Sequence, residues 1–221
     1  RPRPPVASHR GVQIGFVVPA TVADRIGGLA AEFGATQFMV SHAVFAVLLA
    51  RLSGTGDIVV GTPVAGRGQD VLDQLVGMFA NTLVLRTEVD PAESFADLLR
   101  RVRAHDLEAL ANADIPFEAL VEAVDPVRSE AFSPLTQVIF SFDPGAGAMS
   151  AGLEIEGLQI ALVEGLERPA QLDLDFTLST NGVDGAWTGQ VTGAADLFDR
   201  GTLEVFAARY VALLEALTAE P

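Results

Sequence analysis

The chain of 221 residues contains no cysteine and no lysine. The first absence removes disulfides, thiolate nucleophiles and cysteine-bound metal sites together. The second removes Schiff-base chemistry through a lysine amine. No apolar stretch approaches the roughly 18 uninterrupted residues of a membrane span. The opening Arg1-Pro2-Arg3-Pro4-Pro5 has no secretory leader pattern. These features fit a cytoplasmic protein without a membrane partner. Basic charge is scarce as well: 14 arginines face 29 acidic residues, for a net charge of −15. Neutralising phosphates needs clustered Lys and Arg, so nucleic acid is excluded as a partner.

What is present is a core. Apolar residues make up 49% of the sequence, enough at this length to bury one substantial interior. Residues 12–19 form a short apolar run closed by Pro19, a strand by length and β-branching. An amphipathic helix is predicted over 21–33, with Gly34 as its stop. Thr36 offers an N-cap for a second helix to Leu52, closed by Gly54. Apolar side chains occupy nearly every face of that helix, which predicts burial on most sides. Residues 57–63 read as a buried strand, 65–68 as a Gly-rich loop and 81–89 as a returning strand. Ser94 with Asp97 starts a helix that runs to Ala111. A short helix over 117–123 and a strand over 136–142 follow. The small residues of 144–152 predict a mobile loop. Three more strands are expected at 158–163, 172–179 and 186–192, with Asn181-Gly182 as a hairpin signal. A last amphipathic helix covers 198–217. The pattern is α/β, a mixed sheet flanked by helices.

Few residues in this chain are suited to catalysis. His9, His42 and His105 are isolated from one another, and no metal-ligand spacing joins them. They read as structural histidines, and no GxSxG elbow is present. Asp106 projects into the apolar arc of its helix. It either reaches solvent or a backbone amide, or it lies near a boundary between two lobes. Asn81 sits between Phe79 and Leu83, where a carboxamide supplies donors and acceptors without charge. It can orient an acyl or amine group, or it can cap the turn of its own strand. Arg86 reads as a structural ion-pair residue. Pro116, Phe117 and Glu118 read as a helix start, with Asp114 as an acceptor for its N-terminus.

Five segments in order carry a family resemblance. Leu75-Val-Gly-Met-Phe-Ala-Asn-Thr-Leu-Val-Leu-Arg86 resembles (I/V)GxFVNTxxxR, and Asn112-Ala-Asp-Ile-Pro-Phe-Glu118 resembles HQDxPFE. Residues 57–67 are similar to DIVVGTPVANR, 128–138 to RxxxRxPLFQV, and Ala195-Asp-Leu-Phe-Asp199 to the family's C-terminal end. The family is that of condensation domains of nonribosomal peptide synthetases. Departures are Ala80 for Val, Gly66 for Asn, Asn112-Ala113 for His-Gln, and Thr136 for Phe. The family's catalytic HHxxxDG is absent, so no catalytic residue is assigned here.

The resemblance implies one chloramphenicol-acetyltransferase-like lobe. Residues 1–11 would be an interlobe linker and 12–221 the C-terminal lobe, the N-terminal lobe being absent. The complete domain would be an acyltransferase that forms a peptide bond between an acyl donor and an aminoacyl acceptor. Both would ride on phosphopantetheine of carrier domains, and the lobe would need no cofactor or metal of its own. Partners would be the N-terminal lobe, both carrier domains and an adjacent adenylation domain. By the same resemblance Gly77, Phe79, Asn81 and Thr82 would line the substrate tunnel. Arg67, Arg86, Asp114, Pro116, Phe117 and Glu118 would be structural. Residues 62–79 would form the tunnel floor, and a latch would lie between 143 and 192. The fragment alone would be inactive. The alternatives are a non-catalytic recruiting domain or an epimerisation domain of the same fold.

Overall fold

Alternation along the strands explains the architecture. In the computed structural model, residues 1–67, 70–72, 74–144, 169–180 and 182–221 are described. Strand β1 (Gly11–Val18) turns Ile14 and Val18 inward and Gln13 and Val17 outward. Helices α1 (Ala20–Glu32) and α2 (Gln37–Ser53) follow, then the antiparallel pair β2 (Asp57–Val64) and β3 (Asn81–Glu88). Helices α3 (Phe95–Ala111) and α4 (Phe117–Val124) lead to β4 (Val138–Asp143). Strands β5 (Leu174–Ser179) and β6 (Trp187–Ala194) precede the last helix, α5 (Arg200–Ala219). The six strands form one sheet in the order β1-β6-β5-β4-β2-β3. Strand β4 runs parallel to both β2 and β5, and the other neighbours are antiparallel. The mixed α/β sheet is therefore as the sequence predicts.

Helix α2 is the centre of the core. Its N-cap Thr36 accepts from the Met39 amide at 3.2 Å, and Gly54 ends it in the left-handed region at φ 74°. Every residue from Met39 to Leu48 is buried, because α1, α3, α5 and the sheet surround the helix. Phe45 packs 5.0 Å from the Phe140 ring and 4.8 Å from Phe176, and Tyr210 meets Phe176 edge-on at 4.6 Å. Such stacked, tilted and T-shaped pairs add to the area they bury. Where Phe16 crosses β6, the position must be glycine. A Cβ on Gly189 would lie 2.1 Å from that ring.

The other face of the sheet is polar. Gln13 donates to Gln190 and Thr192 across β1 and β6, each at 3.2 Å. Residues 1–10 are fastened to the domain. Arg3 pairs with Asp173 at 2.7 Å, Ser8 donates to Asp196 through amide and hydroxyl, and the Ala170 amide reaches His9 O at 2.9 Å. The two bonds from Ser8 hold the Asp196 carboxyl below its ordinary range.

The expected 158–163 strand, the 145–152 part of the small-residue loop and half of the latch span lie outside the described residues. Strands β5 and β6 do form an antiparallel pair, but the connection is longer than a two-residue turn. Ser179 pairs with Thr188, and Val183–Gly185 make a 3-10 turn with Asp184 and Gly185 at positive φ. No described helix alone is long and apolar enough to cross a membrane. The α1–α2 pair passes only jointly, across a 108° bend.

Candidate functional site

Strands β2 and β3 are joined by the loop 65–80, of which residues 65–67, 70–72 and 74–80 are described, and Arg67 shapes the described part. Its Nη2 donates to the carbonyl oxygens of Leu75 at 3.0 Å and Gly77 at 3.3 Å, and Nη1 donates to that of Leu72. The guanidinium lies 4.4 Å from the centroid of the Phe79 ring. A flat fork with five donors suits several carbonyls and an aromatic face at once. Gly66 makes the turn possible. It has φ 63°, and a Cβ there would fall 1.8 Å from Phe79 O. The family's asparagine side chain has no room in this conformation.

Phe79 is half-buried between Arg67 and Gly77, where an added Cβ would lie 3.2 Å from Phe79 Cε2. Its apolar neighbours point to solvent: Val76 is 106% exposed and Met78 94%. Thr82, the second residue of β3, lies over Gly61 of β2. A Cβ on Gly61 would stand 3.1 Å from Thr136, 3.2 Å from Ile139 and 3.4 Å from Thr82. Thr136, where the family carries Phe, is buried and donates its hydroxyl to Val138 O at 2.9 Å. A threonine thus fills the space that Gly61 leaves between β2 and β4.

Asn81 begins β3 and reaches away from its own hairpin. Its Nδ2 donates to Ala113 O at 2.9 Å and Ile115 O at 2.7 Å. Its Oδ1 accepts from the Thr82 amide at 2.9 Å and the Phe117 amide at 3.1 Å. The Phe117 amide is one of the first free donors of α4. Pro116 occupies the N-cap of that helix and offers no side-chain cap. The capping acceptor is therefore Asn81. Asp114, expected in that role, is exposed and does not cap the helix, and Glu118 is exposed in its first turn. Arg86 forms a bidentate pair with Asp57 on β2, at 2.8 and 2.9 Å. That hydrogen bonding holds the Asp57 carboxyl below its ordinary range.

The histidines lie apart from this loop. His9 is in the N-terminal segment and His105 is exposed on α3. His42 is fully buried, stacked between Phe38 and Phe140, with Nδ1 3.1 Å from Asp106 Oδ2. Asp106 is buried too, so its partner is neither solvent nor a backbone amide. It is a histidine 64 residues earlier. Among the described residues no group of His, Asp and Glu could hold a metal ion. The sequence showed each half of the Asp106–His42 and Asn81–Phe117 links without showing that they meet. An apolar groove of about 880 Å³ beside α2 and α5 is lined by Leu49, Leu52, Ile58, Val138, Leu174 and Phe206. None of the expected tunnel residues lines it.

A six-stranded mixed sheet with helices packed on it has the chloramphenicol-acetyltransferase-like fold. This is the fold of the solved condensation domains that the chain matches. The X-domain from teicoplanin biosynthesis superposes with TM-score 0.91 at 29% identity, over all of this chain and 50% of that one. The first condensation domain of the CDA synthetase gives 0.75 at 24% identity, over 96% of this chain and 46% of that one. The condensation-domain family model matches residues 1–221, and the chain belongs to that family. It is 39% identical over its whole length to a part of the isonitrile lipopeptide synthase of Mycobacterium tuberculosis, and spans 9% of that protein. It is 38% identical over its whole length to phosphinothricin tripeptide synthetase PhsC of Streptomyces viridochromogenes, spanning 20% of it.

Proposed function

We propose that residues 12–221 are the C-terminal lobe of a condensation domain and that residues 1–11 are the linker from its first lobe. The complete domain joins an acyl donor to an aminoacyl acceptor, each held as a thioester on the phosphopantetheine arm of a carrier domain. The acceptor amine attacks the donor carbonyl, the C–N bond forms and the C–S bond breaks. The amine's proton leaves through a base of the other lobe, and the donor arm is released as a thiol. This lobe contributes the acceptor-side wall and floor, from the loop at 62–79 with Gly77, Phe79 and Thr82. Its main contribution is to hold the two reactants together, where orientation alone is worth several kcal/mol. Its partners are the first lobe, the two carriers and an adjacent adenylation domain, in the cytoplasm.

The observation that carries this reading is the ordered set of condensation motifs within a family match over the whole chain. Two further facts support it: the chain covers about half of solved condensation-type chains, and it lacks HHxxxDG. A second reading is favoured by one likeness. The X-domain, which superposes at TM-score 0.91, has also been solved in a complex with OxyB. On that reading the domain recruits a tailoring oxygenase and forms no bond.

The test is to supply both loaded carriers to the complete two-lobed domain and to this chain alone. The expected result is dipeptide on the acceptor carrier with the complete domain and none above buffer with the chain. Product from the chain alone would mean that it carries its own base. A complete domain that makes no product but binds an oxygenase would establish the recruiting role instead.

A further inference from the structure

We infer that Asn81 is a positioning residue that ties the hairpin loop 65–80 to the segment 113–117, so that the two form one piece of the tunnel wall. The inference rests on the condensation reading and changes how Asn81 serves it. An asparagine side chain has two donors and two acceptor positions. All four are used within the chain, on Ala113 O, Ile115 O, Thr82 N and Phe117 N. None is left for a substrate. Asn81 therefore acts through what it holds.

Among the described residues, what it holds has few other anchors. Asn81 pairs with Val64 at the open end of the hairpin, so every movement of the loop passes through it or Val64. The loop's Leu75, Val76 and Met78 are exposed and gain nothing from burial. Arg67 organises the loop internally, through Leu72, Leu75, Gly77 and Phe79, all of which belong to the loop. On the other side, Pro116 leaves α4 without a side-chain cap of its own. One carboxamide thus closes both the free end of α4 and the stem of the loop. This explains physically why the FANT and PFE segments serve one site although they lie some thirty residues apart.

Asparagine to aspartate separates the parts of the clasp. Asn81→Asp keeps both acceptors, loses both donors and sets a carboxylate oxygen against two carbonyls. In the complete domain it is expected to lower kcat/KM for the acceptor carrier roughly tenfold, as much as Asn81→Ala. The melting temperature and the response to the donor carrier should stay near wild type. Rates per folded molecule equal to wild type for both variants would overturn the proposal.

Asparagine-selective labelling of the unsubstituted domain gives a second test that does not depend on activity. This chain contributes three asparagines to the spectrum, Asn81 among them. Both Nδ2 protons of Asn81 should exchange slowly with water. Exchange as fast as in free asparagine would overturn the clasp even if the domain forms peptide. A wild-type domain that forms no peptide, yet shows protected Asn81 protons, would overturn the functional reading alone.

Discussion

Helix α2 and the hairpin loop 65–80 are held in opposite ways. Around α2 the contacts are many and individually small. Phe45 alone meets Phe140, Phe176, Phe206 and Tyr210. In the loop Leu75, Val76 and Met78 are exposed and the shape depends on two polar residues, Arg67 and Asn81, aimed at backbone groups. Burial is non-directional and proportional to area, so the core sets stability. Hydrogen bonds are directional and add little net stability, so the loop's bonds set shape. A fold that is rigid overall and shaped at one edge can divide the work in this way.

Substitutions should separate the two regions. Phe45→Ala in the core should cost about 3–5 kcal/mol and lower the melting temperature by roughly 6–20 °C, read by calorimetry. Asp106→Ala should cost about 3 kcal/mol or more, because it leaves His42 buried and unpaired. Replacing His42 and Asp106 together with leucines should cost much less than the single change, and the cycle measures the coupling.

Tyr210→Phe should cost about 1 kcal/mol near neutral pH, from the lost bond to Ser41 O at 3.1 Å. Burial pushes the Tyr210 hydroxyl well above its ordinary pKa. The unfolded chain therefore loses this proton first. Stability should be unaffected below about pH 10 and fall above it, by about 1.4 kcal/mol per pH unit. Tyr210→Phe should remove that alkaline decline. Tyr210 is the one tyrosine of the chain, so tyrosinate absorbance reports it directly.

At the loop the effect changes kind. Asn81→Ala in the complete domain should shift the melting temperature least of these, yet slow condensation roughly tenfold. A variant several degrees less stable but equally fast would place Asn81 with the core and dissolve the comparison.

The sequence was most legible where one local rule decided. Thr36 and Ser94 announced their helices, and both side chains cap as expected. The all-round apolar character of α2 announced its burial. Strand β5 alternates cleanly, and its inward Leu174, Phe176 and Leu178 are all in the core. What stayed hidden needed two distant segments at once. Asp106 in an apolar arc signalled a missing partner but could not name His42. Asp114 is the acceptor nearest in sequence to the start of α4. The cap instead came from Asn81, 36 residues upstream of Phe117, because β3 begins beside α4. Local spacing reports local bonds, whereas the site is assembled by packing.

Amide hydrogen exchange on the complete domain, wild type beside Asn81→Asp, tests the division of labour most directly. Faster exchange is expected at the amides of residues 74–82, 115 and 117–120 in the variant. Residues 38–52 of α2 should keep their wild-type protection. Faster exchange in α2, in step with the loop, would contradict that division, because the loop's bonds would then be part of the same cooperative core.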